Sequence, residues 1–264
     1  MELLRTVAEY FLWFLLYSVC GWIMETTLYA VRKKQAVKRG FLFGPLCPIY
    51  GVGMILCMLL FYQRIENIFL LFLAGAFVCT VLEYVTHFVL EKLFHSTWWD
   101  YSGKKFNIRG RVCLQNTLLF GVGVVLIVRV FQPFLIFWTA KIPNTVLYAV
   151  SFVLYTVLIV DLTTTIAGLK NTVEVLKRLQ TDINEHLQKN IDETDAYMTE
   201  LSERIKASAL VSEAVERFRH GNSPLVRLHN AYPHFKLERY KDAVQLLFDK
   251  IDEKKDEHKK DTHK

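Results

Sequence analysis

The amino-acid sequence predicts an all-α, polytopic membrane protein with five transmembrane helices, an N-terminus outside, a C-terminus inside and a cytoplasmic helical tail. Three observations support this fold class: long apolar stretches, the placement of the basic residues, and a change of composition after Gly168. Apolar stretches of about 20 residues match the thickness of a bilayer, and in lipid they must be helical because a bare backbone finds no partners there. The five predicted spans cover residues 8–31, 41–62, 67–90, 112–131 and 145–168.

The predicted orientation follows from the connections between the spans. The connections after the first and third spans hold Arg32, Lys33, Lys34, Lys38 and Arg39, and Lys92, Lys104, Lys105, Arg109 and Arg111, whereas the second and fourth carry Arg64, and Arg129 with Lys141. Positive residues favour the cytoplasmic side, which places the N-terminus outside. The first span carries a glutamate and lacks a small-residue cleavage site, so we expect it to be retained.

The net charge of +6 arises in the membrane part of the chain. Residues 1–169 contain 14 Lys and Arg against 8 Asp and Glu, whereas residues 170–264 contain 18 of each class. The basicity therefore reflects topology and contact with anionic head groups. It predicts membrane lipids, and no nucleic acid, as partners.

The second predicted span contains residues that interrupt a helix. Pro45 and Pro48 lack amide donors and disfavour a helical conformation in the residue before them, and Gly44 and Gly51 loosen the same region. A helix over residues 48–62 would be about 22 Å long, short of a hydrocarbon core of about 30 Å. We therefore expect a broken or re-entrant span of the kind that forms transporter binding sites. The alternative is a proline-initiated helix that follows a membrane-surface loop.

Three acidic residues lie at one depth inside the predicted spans. Glu25, Glu83 and Asp161 precede the cytoplasmic ends of their helices by about 10 to 14 Å. With polar residues of the other spans, the set at this level consists of Glu25, Tyr50, Glu83, Gln115, Asn116 and Asp161. An ionised side chain at mid-bilayer costs about 3 kcal/mol, so we expect the acids to point inward, toward each other, toward arginines or toward water. The set predicts a substrate or ion pathway in a cytoplasm-facing polar cavity; the alternative is that the acids pair with arginines and hold the helices together.

The chain lacks the sequence motifs of familiar active sites. It contains no H-E-x-x-H, no G-x-S-x-G and no G-x-x-x-x-G-K-[ST] phosphate loop, so it cannot hydrolyse ATP by that route. Glu83, His87, Glu91 and His95 recur every four residues and could ligate a cation, but this stripe drifts around the helix toward the head groups. The five cysteines lie in or at the ends of the spans without C-x-x-C spacing. We predict no metal site, disulfide, cofactor or catalytic residue.

The chain changes character after the fifth span. Residues 169–221 place apolar residues at spacings of three and four, which predicts an amphipathic helix with coiled-coil tendency. The heptad slips near residues 190–198, which favours a helical hairpin or a self-association surface. We expect the helix to end at residues 221–224, followed by a linker, a short amphipathic segment around residues 235–251 and a charged, disordered C-terminus up to residue 264.

Several short motifs occur together and in order: GWIMET (21–26), RGFLFGPLCPIYG (39–51), LEY (82–84), LEKLF (90–94), WWDYS (98–102) and FNIRGRVCL (106–114). They resemble the bacterial family labelled putative ABC-transporter type IV, or CmpB-like permease. The resemblance is strong over about residues 10–131 and looser over the fifth span, and it does not reach the tail. It implies a multi-pass permease of the bacterial cell membrane that works with a separate ATPase subunit. The residues that match the family's motifs are Glu25, Arg39, Gly44, Pro45, Pro48, Tyr50, Gly51, Glu83, Trp99, Asp100, Tyr101, Asn107, Gly110 and Arg111.

The loop between the third and fourth spans carries more specialised side chains than a simple connection needs. Trp98 and Trp99 are typical of the membrane interface, and we expect Asp100 to pair with Arg109 or Arg111. We predict a cytoplasmic lid or coupling element made of Arg39, Trp99, Asp100, Tyr101, Asn107, Arg109 and Arg111. The alternative is an interfacial loop that binds lipid phosphates through its basic side chains.

Three classes of function are consistent with these features. The first is a permease-like subunit that acts as a homo-oligomer with an ATPase partner. The second is a membrane-embedded enzyme that acts on a lipid or lipid-linked substrate with Glu25, Glu83 or Asp161 as general base. The third is a membrane scaffold or signalling protein that acts through its helical tail. Fold and family resemblance do not separate them.

Overall fold

The computed structural model describes residues 2–34, 37, 39–94, 96–188, 211, 214–215, 224–232, 237 and 240–261. Its helices are α1 (Glu2–Lys33), α2 (Pro48–Phe61), α3 (Ile68–Phe94), α4 (Leu114–Leu126), α5 (Gln132–Ala140), α6 (Asn144–Gln188), α7 (Pro224–Ala231) and α8 (Lys241–Asp261), and a hairpin pairs β1 (Asn107–Ile108) with β2 (Val112–Cys113). The predicted heptad slip near residues 190–198 and the predicted helix end at residues 221–223 lie outside the described residues.

Within the described part of the chain, four helices are long and apolar enough to cross a membrane. They are Glu2–Arg32, Ile68–Phe94, Leu114–Ala140 and Asn144–Glu185. The predicted all-α membrane class is therefore confirmed. The second predicted span contains only the shorter apolar helix α2, whose 14 residues extend about 21 Å.

Helix α2 begins at the proline that the sequence indicated. Pro48 occupies its first turn, where a missing amide hydrogen costs nothing. The preceding segment, residues 39–47, has no regular secondary structure. Its last residue, Cys47, donates its backbone amide to the carbonyl oxygen of Ser18 in α1 at 3.0 Å. The start of α2 is thus fixed against α1.

The fourth span continues beyond its predicted end at residue 131. A π-helical turn over Ile127–Phe131 joins α4 to α5. The turn lies just before Pro133, whose ring would clash with a carbonyl in a regular α-helix, and a π-turn changes that spacing. In this turn Arg129 donates to the carbonyl oxygens of Ile65 and Glu66 at 2.5 and 2.6 Å, which ties the turn to the α2–α3 connection.

Helix α6 runs without a break from the membrane domain into the tail. It spans 45 residues and crosses the boundary predicted at residue 168. Beyond that point Leu169, Leu176, Leu179 and Ile183 are buried in one apolar cluster with residues of α7 and α8. Helix α8 extends to Asp261, past residue 251, where the amphipathic segment was expected to end. The tail therefore packs directly on the helix that enters the membrane.

Candidate functional site

The irregular segment 39–47 is held to α6 by the carboxylate of Asp161. Oδ1 accepts the backbone amide of Phe43 at 2.8 Å and Oδ2 accepts that of Gly44 at 2.7 Å. The Thr165 hydroxyl donates to Oδ1 at 3.2 Å. A carboxylate is a strong acceptor for backbone amides that have no helical partner. Asp161 therefore replaces the hydrogen bonds that a continuous helix would have supplied.

Glu25 contacts the first residue of this segment and the helix that follows it. Its Oε1 accepts the hydroxyl of Tyr50 in α2 at 3.0 Å, and its Oε2 lies 3.4 Å from Nε of Arg39. The Trp22 indole donates to the carbonyl oxygen of Arg39 at 2.7 Å. Two of the predicted pathway residues, Glu25 and Tyr50, are thus in direct contact, and the acid is paired with an arginine.

The opposite face of the segment is held by the tail helix α7. Arg227 donates to the carbonyl oxygens of Gly40 (3.4 Å), Phe41 (2.6 Å) and Leu42, and its guanidinium lies 4.5 Å from the centre of the Phe43 ring. Burial lowers the pKa of Arg227, but an arginine remains charged in proteins. Asp161 and Arg227 therefore hold the amide and carbonyl sides of one backbone segment.

Arg39 forms a second link between the segment and the tail. Its guanidinium lies between two rings, 5.0 Å from the centre of Tyr29 and 4.7 Å from that of Tyr232. It also donates to the carbonyl oxygen of Ala231 at 2.5 Å. The Tyr232 ring contacts Trp98, a side chain that is 2% exposed, with a centroid distance of 5.6 Å. The tail thus contacts both the irregular segment and the loop before β1.

We expect an Arg227→Ala substitution to loosen the segment that Arg227 binds. Hydrogen bonds to charged groups contribute about 1.5–3 kcal/mol each, so amide hydrogen exchange in residues 39–47 should become at least about tenfold faster. Mass spectrometry of exchange in lipid nanodiscs measures this. The matched control is Arg178→Ala, because Arg178 is exposed on α6 and its ion pair among the described residues is with Glu174, one turn away. Equal exchange in the two variants would contradict the role of Arg227.

Glu83 is paired with the loop between α3 and α4. It is 7% exposed, and its Oε1 accepts the Tyr101 hydroxyl at 3.2 Å. The side chain of Asn116 in α4 also interacts with this carboxyl group, and Glu25 lies within electrostatic range. Burial, with a further contribution from Glu83, raises the pKa of Tyr101 well above its ordinary value, so this phenol stays protonated and donates.

The loop itself is braced by Asn107, which was expected to close a cavity together with arginines. Its amide group donates to the carbonyl oxygens of Ser102 (3.1 Å) and Lys104 (2.8 Å), and its Oδ1 accepts the amide of Gly110 at 3.0 Å. Gly110 has a φ of +67° and no room for a Cβ, which would lie 2.9 Å from the Asp100 carboxylate. The contacts of Asn107 therefore shape the loop from within.

Arg111 and Asp100 each have well-defined contacts in and around the loop. Arg111 donates to Glu91 at 2.6 Å and to the Tyr84 hydroxyl at 2.8 Å, both on α3. Asp100 accepts the backbone amide of Ser102 at 2.8 Å, which is the local turn that an aspartate commonly forms with an amide two residues on. The pairing of Asp100 with Arg109 or Arg111 stays a prediction.

The aromatic residues of the loop are fixed to α3. The Trp99 indole donates to the carbonyl oxygen of Arg111 at 2.9 Å, and Nε2 of His87 lies 3.1 Å from the Trp99 carbonyl oxygen. The rings of His87 and Trp99 meet edge to face at 5.1 Å. His87 and Glu91, two members of the four-residue stripe on α3, thus bind the loop, and His95 lies outside the described residues.

The outer surface of the loop is apolar and basic. Phe106 is 78% exposed and Ile108 is 58% exposed, and both Lys105 and Arg109 are exposed beside them. Lys104 donates to the side chain of Gln115 at 2.9 Å. A rigid loop with such a surface can dock a partner or the head-group region.

The structure divides the predicted site residues into two groups. Glu25, Tyr50 and Arg39 meet directly, and Glu83 and Tyr101 meet beside Asn116. Asp161 belongs to neither group: it accepts the backbone amides of Phe43 and Gly44 and the Thr165 hydroxyl. Gln115 lies at the loop surface, where it accepts from Lys104. Sequence reasoning missed Arg227 and Tyr232; a lone arginine on the amphipathic helix α7 was the only available signal.

The membrane-spanning part of the chain matches a known protein family. The model of the family described as "Putative ABC-transporter type IV" matches residues 12–166, which is more than half of the chain. The chain belongs to this family. Together with the four apolar helices, this membership identifies a membrane protein. Neither the search of curated proteins nor that of solved structures returned a match.

The family match separates two layers of the site. Glu25, Arg39, Glu83, Tyr101 and Asp161 all lie inside the residues that match the type IV family. Arg227 and Ala231 of α7, which contact segment 39–47, lie outside the matched residues. The polar layer formed by these five residues therefore lies in the family-matched domain, and the contacts from α7 come from outside it.

Proposed function

We propose that this chain is the permease subunit of an ABC-type transporter of the bacterial cell membrane. It has five spans with the N-terminus outside, the second span is formed by segment 39–47 and α2, and the polar layer lines a cytoplasm-facing pathway. The observation that carries the proposal is the irregular backbone of segment 39–47, held by Asp161 on one side and bound through Arg39 to Glu25 on the other. Discontinuous helices with such backbone form transport sites in membrane proteins.

The energy for transport would come from a separate ATPase subunit. The chain has no phosphate loop, so ATP hydrolysis requires a partner. We assign the docking surface to the loop that carries Phe106 and Ile108, because it is braced from within and presents apolar side chains beside basic ones. The same loop contacts Glu83 in the polar layer through Tyr101. This contact connects the docking surface to the residues that line the pathway.

The proposal includes a homo-oligomer. The membrane part of α6 is the least buried of the four long apolar helices. Of its 18 most apolar consecutive residues 11% are buried, against 33%, 22% and 22% for the other three helices. A second copy packed along α6 would enlarge the pathway beyond what one chain can form. Membrane lipids cover the remaining apolar surface.

Affinity purification tests the docking surface. We expect the tagged full-length protein, extracted from its native membrane in mild detergent, to bring a stoichiometric cytoplasmic ATPase, identified by mass spectrometry. The double substitution Phe106→Ser with Ile108→Ser should lose the ATPase at least about tenfold, because apolar anchors dominate such interfaces. The matched control is Leu3→Ser. Leu3 is as exposed as Phe106 but lies at the N-terminal end of α1, away from the loop.

Two results would contradict the proposal. One is an ATPase that remains bound to the double variant, which would remove the loop as the docking surface. The other is a preparation that contains only this chain and a tightly held lipid, which would favour a lipid-modifying enzyme or a lipid-binding protein.

A further inference from the structure

The carboxyl group of Glu83 is placed unlike the other acids of the membrane domain. It lies inside the span α3, and only 7% of the residue is exposed. Its Oε1 has the Tyr101 hydroxyl as a donor, whereas Oε2 is buried without a donor at hydrogen-bond geometry among the described residues. Glu25 has an arginine and Asp161 has two backbone amides and a threonine hydroxyl. Glu83 has one phenol and the side chain of Asn116.

The groups that face Glu83 from each neighbouring element do not neutralise a negative charge. They are Glu25 from α1, Tyr101 from the loop, Asn116 from α4, and Cys79 and His87 one turn away on α3, while Tyr50 and Cys113 face Tyr101. His87 is occupied by the Trp99 carbonyl oxygen and lies 3.8 Å from Glu91. Arg111, the cation at this level of α3, is bound to Glu91 at 2.6 Å.

The physical consequence concerns the protonation of this side chain. An unpaired ionised acid within a bilayer costs about 3 kcal/mol on insertion scales, and the negative charge of Glu25 adds repulsion. A proton on Oε2 removes both penalties. The hydrogen bond from Tyr101 to Oε1 remains possible in both forms and stabilises the ionised form more.

We propose that Glu83 is a proton-binding site: it holds a proton at neutral pH and releases it on the side of Glu25 and Tyr101. We assign release to the side of Glu25 because its side chain is 25% exposed, whereas Glu83 is 7% exposed. This inference deepens the proposed function and rests on it for its purpose, since a releasable proton within the pathway would be coupled to movement of substrate. The membrane domain would then bind a proton, while the separate ATPase supplies the energy for transport.

Infrared spectroscopy of the purified full-length protein in lipid nanodiscs tests the proton directly. At pH 7 we expect a carboxylic-acid C=O band that is lost in Glu83→Gln and retained in Glu25→Gln. Glutamine keeps the size of the side chain and an acceptor for Tyr101, so the variant should fold. If no C=O band depended on Glu83 and carboxylate absorption were seen in its place, Glu83 would be ionised at pH 7. That result would overturn the proposal, whether a metal cation or a further donor stabilised the charge.

Release of the proton is tested by raising the pH. The band should convert to carboxylate absorption within the range in which the protein stays folded. In Tyr101→Phe the conversion should need about 1 to 2 pH units more, because one hydrogen bond to the ionised form is missing. A band that persists at all pH values would mark a permanently neutral structural acid. Conversion at the same pH in both proteins would show that Tyr101 does not stabilise the ionised form, and either result would overturn the proposal. None of these results depends on an ATPase, so failure here is distinguishable from failure of the proposed function.

Discussion

Replacing Asp161 with alanine is expected to destabilise the membrane domain by about 3–5 kcal/mol. The substitution removes the acceptor for the backbone amides of Phe43 and Gly44 at once. Both residues are partly buried, and a donor that loses its partner there costs about 1–3 kcal/mol, and more when the lost acceptor was charged. Segment 39–47 would lose its attachment to α6, while α1 and α7 would still hold it. Thermal and denaturant unfolding of the purified protein in detergent measures the loss.

The control for this prediction lies three residues further along the same helix. Thr164 is exposed, and in the described part of the chain its hydroxyl donates to the carbonyl oxygens of Val160 and Asp161 in its own helix. Thr164→Val should therefore leave stability within about 0.5 kcal/mol of the unaltered protein. Asp161→Asn retains one acceptor oxygen and should fall between the two. An Asp161→Ala protein as stable as Thr164→Val would remove Asp161 as the attachment point.

The second large effect is expected for Gly51→Ala, at the crossing of α1 and α2. A Cβ at this position would lie 2.4 Å from the Ser18 hydroxyl oxygen and 2.5 Å from the backbone carbonyl oxygen of Phe14. Backbone cannot move aside as a side chain can, so the helices must separate. Overpacking of this kind costs about 1–3 kcal/mol, occasionally more, and we expect the upper end. The unfolding assay described for Asp161 measures it.

A second helical glycine provides a matched control. A Cβ on Gly123 in α4 meets nothing within 4 Å, and alanine is a better helix former than glycine by about 1 kcal/mol. Gly123→Ala should therefore be neutral or slightly stabilising. If both variants lost stability to the same extent, the close approach of α1 and α2 would not be the cause.

Much of the membrane fold could be predicted because lipid leaves the chain few options. Apolar length determined α1, α3 and the membrane half of α6, and Pro48 marked the start of α2. The fourth span ran further than expected because the π-turn Ile127–Phe131 accommodates a proline that would otherwise end a helix. Composition changes after residue 168, but composition does not break a helix, and α6 continues to Gln188.

The site was predictable only where one side chain binds another. The acids were expected to point toward each other, toward arginines or toward water, and Glu25 contacts Arg39. The partners of Asp161 and Arg227 are backbone amides and carbonyls, which any residue carries, so no pattern of side chains indicates them. The same reason applies to Asn107: it was expected to act as part of a lid, and its described contacts are with the backbone of its own loop.

A permease that depends on a separate ATPase should be purified together with ATP-hydrolysing activity, which an ATPase assay of the assembly in nanodiscs measures. We predict that the protein purified from its native membrane hydrolyses ATP although its own sequence has no phosphate loop. The Phe106→Ser, Ile108→Ser variant should lose this activity, whereas Leu3→Ser should retain it. A preparation of the unaltered protein that contains no ATPase and hydrolyses no ATP would contradict the account.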